Sequence, residues 1–493
     1  MSVLLRSARL VDLGAGAPDG PVDLRVESGR VVAVGPDLEA DERDEVVDLA
    51  DRWVMPGIWD AHVHMTQWAL MRRRLDVASA GSATEVVARV VAQLHYAPIS
   101  EGTMFVAFGF RDGLWPDLPM AALLDEGLAA AGLRPTPVVV ICGDLHSAWL
   151  NTAAAAALGV SPGVVREDEW FALAGRLQTS GPEVVDGWVD DAVHDAAARG
   201  IVGIGDYELA DNLESWQRRL AHGTRVRVSA SVWREHLDAA IGRGLATGDV
   251  LPGTDGLLTL GSLKVISDGS LNTFTAYCHD AYAASDGRPT HGMLNVGPED
   301  LLPLMRTAAQ HGIHCAIHAI GDRANSLALD AFAESGARGS IEHAQLVDRG
   351  DIARFVELDV AASVQPEHAL DDAEIIDSFW ADRADRTYPL ADLHAAGVRL
   401  LLGSDAPVAT LDPWVSIAAA VSRSRQGGAP WHPEQEIPVR VALASSVRSA
   451  VAVGEPADLV VLDADPLTCG AQALRVMPVA GTLLAGTWTH RDF

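Results

Sequence analysis

Cysteine is scarce: Cys142, Cys278, Cys315 and Cys469 are the only four in 493 residues, and no two form a C-x-x-C pair. That scatter removes a disulfide framework and a structural zinc knuckle from consideration and fits a reducing compartment. Basic residues are also few, 37 Lys and Arg against 67 Asp and Glu, for a formal charge of −30. A surface of that sign repels phosphate backbones and anionic lipid, so neither nucleic acid nor a membrane is an expected partner. No long apolar run opens the chain, because Arg6, Arg9 and Asp12 interrupt it. With neither a signal peptide nor a membrane span in view, the expectation is a cytoplasmic protein. Internal repeats and low-complexity tracts are missing as well.

What is present is an ordinary globular composition, 48% hydrophobic and 21% charged, enough for a large core. Both ends read as short strands rich in Val and Leu and separated by Gly, Pro and Asp turns: 3–10, 22–26, 30–34 and 46–49, then 458–462 and 479–489. These are expected to pair as one small β-sandwich built from both termini, residues 1–55 and 440–493. Between them, apolar segments near 58–64, 200–206, 225–233, 262–267, 314–320, 339–344, 360–365 and 399–404 alternate with Ala-rich helical stretches such as 192–200 and 301–312, each closing on Gly. Strand then helix, eight times over, predicts an α/β fold, a (β/α)8 TIM barrel over residues 56–439. The first and second strands are about 135 residues apart, far more than one crossover helix needs. An inserted α+β subdomain at about 67–195, with strands of its own at 104–110 and 137–141, fills the gap. A second long connection, 268–295, follows the fourth strand and is expected to face substrate.

The strand ends carry the chemistry. His62 and His64 alternate along Ile58-Trp59-Asp60-Ala61-His62-Val63-His64, so their side chains share one face. Lys264, His318, His343 and Asp405 fall at the ends of later strands, and in a barrel the C-terminal strand ends form the active-site face. Imidazoles converging with a carboxylate are a ligand set for a divalent transition metal. Taken singly, each has an ordinary structural explanation: H-x-H as a polar strand edge, Lys264 as a buried ammonium paired with a carboxylate, Asp405 as a ligand that moves no proton. Arrangement at matching strand ends favours the metal.

Longer motifs surround these residues: Pro56-Gly57-Ile58 leading into His62, Ser267-Asp268-Gly269-Ser270-Leu271 after Lys264, His318-Ala319-Ile320-Gly321-Asp322-Arg323-Ala324, Ile341-Glu342-His343-Ala344-Gln345, Val364-Gln365-Pro366-Glu367-His368, Gly403-Ser404-Asp405-Ala406-Pro407-Val408 and Ala457-Asp458-Leu459-Val460-Val461-Leu462. Together, in this order, they resemble amidohydrolase family 3 of the amidohydrolase superfamily, the branch with N-substituted formamide deformylase-like proteins, over almost the whole chain. The segment 445–456 is shorter than the family's usual tract, and Gly205-Asp206 on the second strand offers no extra histidine.

The resemblance implies two divalent ions, zinc by default, one held by His62, His64 and Asp405 and the other by His318 and His343. Lys264 would bridge them as a carboxylated lysine, since an ammonium cannot face cations whereas its carbamate is an anionic two-oxygen ligand. Water activated by the metal would attack an amide-type carbon, with Asp405 as the catalytic residue carrying the proton to the leaving nitrogen. The expected function is thus a metal-dependent amidohydrolase cleaving a linear C–N bond of a small-molecule N-substituted amide, formamide or carbamate. His146, in Gly143-Asp144-Leu145-His146-Ser147, together with Trp115 and Trp149, and with Trp68 beside them, are candidate substrate contacts, each also explicable as packing or loop support. His279, His291 and His368 face either the cavity or solvent, and Asp322 and Arg323 structure the turn after the fifth strand. Three other readings remain: a mononuclear aminohydrolase acting on a ring amidine, an esterase or lactonase on the same site, and a non-catalytic binding scaffold. A homodimer is the commonest oligomer for such a chain.

Overall fold

All eight apolar segments become parallel strands in the computed structural model, which describes residues 2–14, 16–100, 102–177, 180–283, 287–425 and 427–493. They are β1 (Ile58–Val63), β2 (Ile201–Asp206), β3 (Arg227–Trp233), β4 (Leu258–Ile266), β5 (Cys315–Ala319), β6 (Gly339–His343), β7 (Val360–Val364) and β8 (Leu400–Leu402). Hydrogen bonding joins them in the order β8-β7-β6-β5-β4-β3-β2-β1. The two edge strands then meet just beyond their C-terminal ends, where Val63 bridges Ala406 in parallel, Asp405 N donates to His62 O at 2.7 Å and His64 N to Ala406 O at 2.8 Å. Strands buried on both faces need runs of Val, Ile, Leu and Ala rather than alternation, and these have them. Helices such as Pro182–Ala197, Asp322–Ser335 and Pro413–Ser422 cover the outside and share one apolar cluster with the barrel.

The termini supply Ser2–Leu10, Val22–Glu27, Arg30–Gly35, Asp44–Asp48 and Trp53–Pro56 from one end and Leu459–Leu462, Val479–Leu484 and Thr487–Arg491 from the other. Trp53–Pro56 pairs antiparallel with Leu459–Leu462, so the two ends of the chain are zipped together. Ser2–Leu10 belongs to both halves of this sheet, pairing first with Val22–Glu27 and Asp44–Asp48 and then, past the irregularity between Leu5 and Ala8, with Trp53–Pro56. The sandwich is therefore one continuous sheet whose halves bury a single cluster including Val3, Leu24, Val54, Leu459 and Leu483. The short 445–456 tract still reaches, with Ile58 bridging Val447 and Arg30 bridging Pro456.

Asp458 ties this sheet to the barrel. It is buried, takes two hydrogen bonds from the Arg227 guanidinium on β3, and accepts from Ala485 N. Removing one member of such a pair strands the other's charge. Asp458→Ala is expected to cost about 3 kcal/mol, read as a lower melting temperature at unchanged metal content.

The segment between β1 and β2 builds its own five-stranded sheet, in the order Gly163–Arg166, Ser147–Leu150, Val138–Cys142, Phe105–Phe110, Leu75–Asp76. Alternation is visible in its central strand: Val138 and Val140 pack with helices Ala83–Tyr96 and Ala121–Ala130, while Val139 and Ile141 pack with Thr152–Leu158 and Glu167–Ala174 on the other face. Helix Pro182–Ala197, which the range 67–195 assigned to the insertion, instead buries Val185, Val189 and Ala192 in the barrel cluster. It is the crossover helix that a parallel β1–β2 connection requires. The 268–295 connection carries a short hairpin, Tyr282–Ala283 with Pro289–Thr290, and residues 284–286 of it lie outside the described residues. No helix among the described residues is long and apolar enough to cross a membrane.

Candidate metal centre

The closure of β8 on β1 fixes the first group of side chains. Because Asp405 N bonds to His62 O, the Asp405 carboxylate reaches over the barrel mouth, its Oδ1 lying 3.5 Å from His62 Nε2 and 3.4 Å from His64 Nε2. Asp405 holds φ at +57°, a left-handed conformation that Asp tolerates better than most residues. The His318 and His343 rings pack 4.5 Å apart between centroids, and His343 lies 5.2 Å from His62 with its Nδ1 4.0 Å from Asp405 Oδ2. Lys264 points inward from β4 at 2% exposure. All six residues line one cavity of about 430 Å³.

A layer of polar groups aims these side chains. Glu342 Oε2 takes His62 Nδ1 at 2.6 Å, and Gln365 Oε1 takes His343 Nδ1 at 2.9 Å, which leaves Nε2 of each ring for the site. Asp268 accepts from the backbone N–H groups of Tyr277, Ile320 and Gly321, and its Oδ1 lies 3.5 Å from His318 Nε2. Asp60 takes Ser404 N and His62 N, locking the two closing loops to each other. Burial, with Lys264 and neighbouring histidines adding to it, keeps His318 and His343 well below the usual imidazole range and hence neutral, the form that ligates. Burial works against the Asp405 carboxylate too, but His62, His64 and His343 outweigh it and hold Asp405 well below the ordinary carboxylate range.

Among the described residues, five buried polar atoms around this cavity lack any hydrogen-bond partner: His64 Nδ1, Lys264 Nζ, His318 Nε2, His368 Nε2 and Asp405 Oδ1. Such a concentration is costly unless something else binds there. The ligand atoms of His62, His64 and Asp405 lie within 4.8 Å of one another, as do those of His343, His368 and Asp405. Nitrogen and carboxylate donors at that spacing fit a divalent transition metal. A family model described as "Amidohydrolase family" matches residues 45–490. The chain belongs to the amidohydrolase family. Among its relatives, the N-substituted formamide deformylase of Arthrobacter pascens is 25% identical over 94% of this chain and 93% of its own. Protein LONG AFTER FAR-RED 3 of Arabidopsis thaliana is 29% identical over 82% of this chain and 74% of its own. An uncharacterized metal-dependent hydrolase from Pyrococcus horikoshii OT3 shares the fold with a TM-score of 0.78 at 24% identity, over 96% of this chain and 99% of that one.

Beyond the centre, this amidohydrolase walls its cavity with the insertion and the loop after β4. Trp115 and His146 line it, with Leu114, Leu145, Trp170 and Phe171. Trp149 does not: it is fully buried inside the inserted sheet, edge-on to Phe110, because its strand turns it into that unit's core. Trp68 packs on the barrel cluster, His279 bonds Ser326 at the surface and His291 bonds Cys278 O. Asp322 holds His279 N and Arg386, and Arg323 stacks on Tyr277, so both support the turn. His368 is buried beside His343 in the site, whereas His318 joins neither 4.8 Å group. Arg111, bonded to Asp371 and to Val408 O, lies in no motif that would single it out, and Glu342, though inside the 341–345 motif, is assigned no role of its own by the sequence. One compositional signal does stand out. Lys264 is the only lysine in the chain, so every other member of the 37 Lys and Arg is arginine.

Proposed function

We propose that this amidohydrolase hydrolyses a linear carbon–nitrogen bond in an N-substituted amide, formamide or carbamate bearing an apolar substituent. The observation that carries the reading is Lys264, a lone lysine, buried among the histidines and Asp405 with Nζ over the Tyr207 ring and without a hydrogen-bond partner among the described residues. His62, His64 and Asp405 would hold one divalent ion and His318 and His343 a second, with Lys264 as a carbamate between them; zinc is the first candidate for such donors. When bound, the ions would polarise the substrate carbonyl and bring the pKa of water down towards about 7. Asp405 takes the proton of the attacking water at its carboxylate and passes it to the leaving nitrogen, which departs as a neutral amine as the C–N bond breaks. Leu114, Trp115, Leu145 and Phe171 exclude water and receive the apolar substituent. The name of the Arthrobacter relative supports this choice of bond.

The test is a screen of metal-replete protein against N-formyl, N-acyl and carbamate compounds alongside esters and ring amidines. Turnover confined to esters, or ammonia release from a ring amidine, would overturn the reading. His318→Ala is expected to lose bound metal and turnover together, measured by elemental analysis and initial rates. A variant that keeps both rules out His318 as a ligand.

A further inference from the structure

The insertion contributes one polar side chain to the cavity in a way that packing does not explain. The turn between strands Val138–Cys142 and Ser147–Leu150 is tied down at several points. Asp144 Oδ1 accepts His146 N, Asp144 Oδ2 accepts Ser270 Oγ from the loop after β4, and Leu145 O accepts Trp170 Nε1. Leu145 is held at φ +66°, and Glu167, where the following strand passes into helix Glu167–Ala174, is held at φ +46°. Neither is glycine, so the backbone is strained on both sides of one contact, a pattern that concentrates at working sites. The contact is between His146 Nδ1 and Glu167 Oε2, 2.9 Å apart with both residues buried. Glu167 has further partners in Thr275 Oγ1, at 2.7 Å, and Asn295 Nδ2, at 3.4 Å. One long loop from the barrel, through Ser270, Thr275 and Asn295, and two segments of the insertion thus converge to hold one imidazole.

Glu167 occupies Nδ1, which leaves Nε2 to face the cavity that His146 lines. The ring lies 5.4 Å from the His318 ring between centroids and edge-on to Phe171. It therefore stands beside His318, on the insertion's side of the shared cavity. Arg111, the other basic group in the insertion's wall, is already engaged by Asp371 and Val408 O. A carboxylate orienting an imidazole whose second nitrogen points at substrate is the arrangement by which proteins fix a single hydrogen-bonding direction. We propose that His146 is a catalytic residue that donates from Nε2 to the substrate carbonyl oxygen as negative charge develops there, and that Glu167 is its positioning residue. The assignment rests on the carbon–nitrogen hydrolase reading and adds a task for the inserted domain: closing the cavity brings the donor with it. No bond is made or broken at His146. Its contribution is hydrogen bonding that strengthens as the carbonyl carbon becomes tetrahedral.

Two probes test this separately. The first is N-(4-nitrophenyl)formamide, whose hydrolysis releases coloured 4-nitroaniline. His146→Asn keeps a donor for Glu167 but cannot reach the cavity. It is expected to lower kcat by about 10²–10³-fold with KM, metal content and melting temperature little changed. Glu167→Gln is expected to lower kcat in the same direction by a smaller factor. Added imidazole should restore turnover to His146→Gly and not to Glu167→Gln, a response a merely structural histidine would not give. The second probe is the N-phenyl methylphosphonamidate, a tetrahedral anion, bound and measured by calorimetry. Its affinity should fall at least about tenfold in His146→Asn, as loss of one charge-assisted hydrogen bond implies. Equal affinity in both proteins, or a kcat for His146→Asn equal to the wild type's, overturns the assignment. Wild-type protein that binds the phosphonamidate through His146 yet leaves all amides intact sustains the donor and sinks the C–N reading instead.

Discussion

Lys264→Arg is expected to strip the centre of at least one metal ion per chain and to lower kcat/KM by at least ~10³-fold, about 4 kcal/mol of transition-state stabilisation. The argument begins with burial. Lys264 is at 2% exposure and its Nζ has no hydrogen-bond partner. Desolvation pulls its pKa down to about 8, against the smaller opposing pull of Glu342 and Asp405. A lysine so placed has a sizeable fraction of free amine near neutral pH, and the free amine is the form that adds carbon dioxide, forming the N–C bond and releasing a proton. A guanidinium cannot do this. It stays charged at every accessible pH, so arginine sets a permanent cation beside the histidines and Asp405 of the candidate metal centre. The composition sharpens the point, because arginine serves everywhere else in this chain that a long basic side chain is used. Elemental analysis gives the metal count. Protein loaded under ¹³C-labelled carbon dioxide should show a carbamate resonance that is lost in Lys264→Arg; with a single lysine, only the α-amino group has to be told apart from it. Full metal occupancy and normal turnover in Lys264→Arg would sink the carbamate.

Much of this candidate centre is legible in the sequence, and for a physical reason. Buried parallel strands need uninterrupted apolar runs, and the residues that break those runs at the C-terminal ends, His62, His64, Lys264, His318 and Asp405, stand out against Val, Ile, Leu and Ala. Glu342 did not stand out. Strict alternation puts it on the face opposite His343, but His343 adopts φ +77° and Ala344 φ +43°, so the chain swivels and both side chains turn inward. Left-handed geometry at a non-glycine residue leaves no mark in composition. Trp149 differs in the opposite direction: an aromatic next to a functional-looking motif reads in the sequence as a substrate contact or as packing, and packing holds because Ser147–Leu150 is a short strand with cores on both faces. His368 and the end of the insertion were ambiguous because both depend on which neighbour packs where. A histidine after a strand, or a helix before one, looks the same whichever cluster receives it. The lone lysine is readable from the sequence, but it becomes informative only with Lys264 buried and its Nζ lacking a hydrogen-bond partner among the described residues.

Asp405→Asn should separate proton transfer from architecture. The expected result is a fall in kcat of about 10²–10⁴-fold, the range for removing a general acid–base group, with little change in melting temperature. Asparagine is the substitution that isolates the chemistry, for two reasons visible here. Asp405 holds φ at +57°, which asparagine adopts as readily as aspartate, whereas alanine would add backbone strain to the loss of the carboxylate. The bond from Asp405 N to His62 O that closes β8 on β1 is a main-chain bond and survives the change. An amide oxygen can still face His62 and His64 and retain part of the metal affinity, but it cannot accept a proton from water and carry it to a leaving nitrogen. Asp405→Ala should therefore lower both turnover and melting temperature, and Asp405→Asn turnover alone. Rates for Asp405→Asn within tenfold of wild type, at equal metal content, would leave Asp405 a ligand and move the proton to another group, of which His368, buried beside His343 with Nε2 unpartnered, is the nearest candidate.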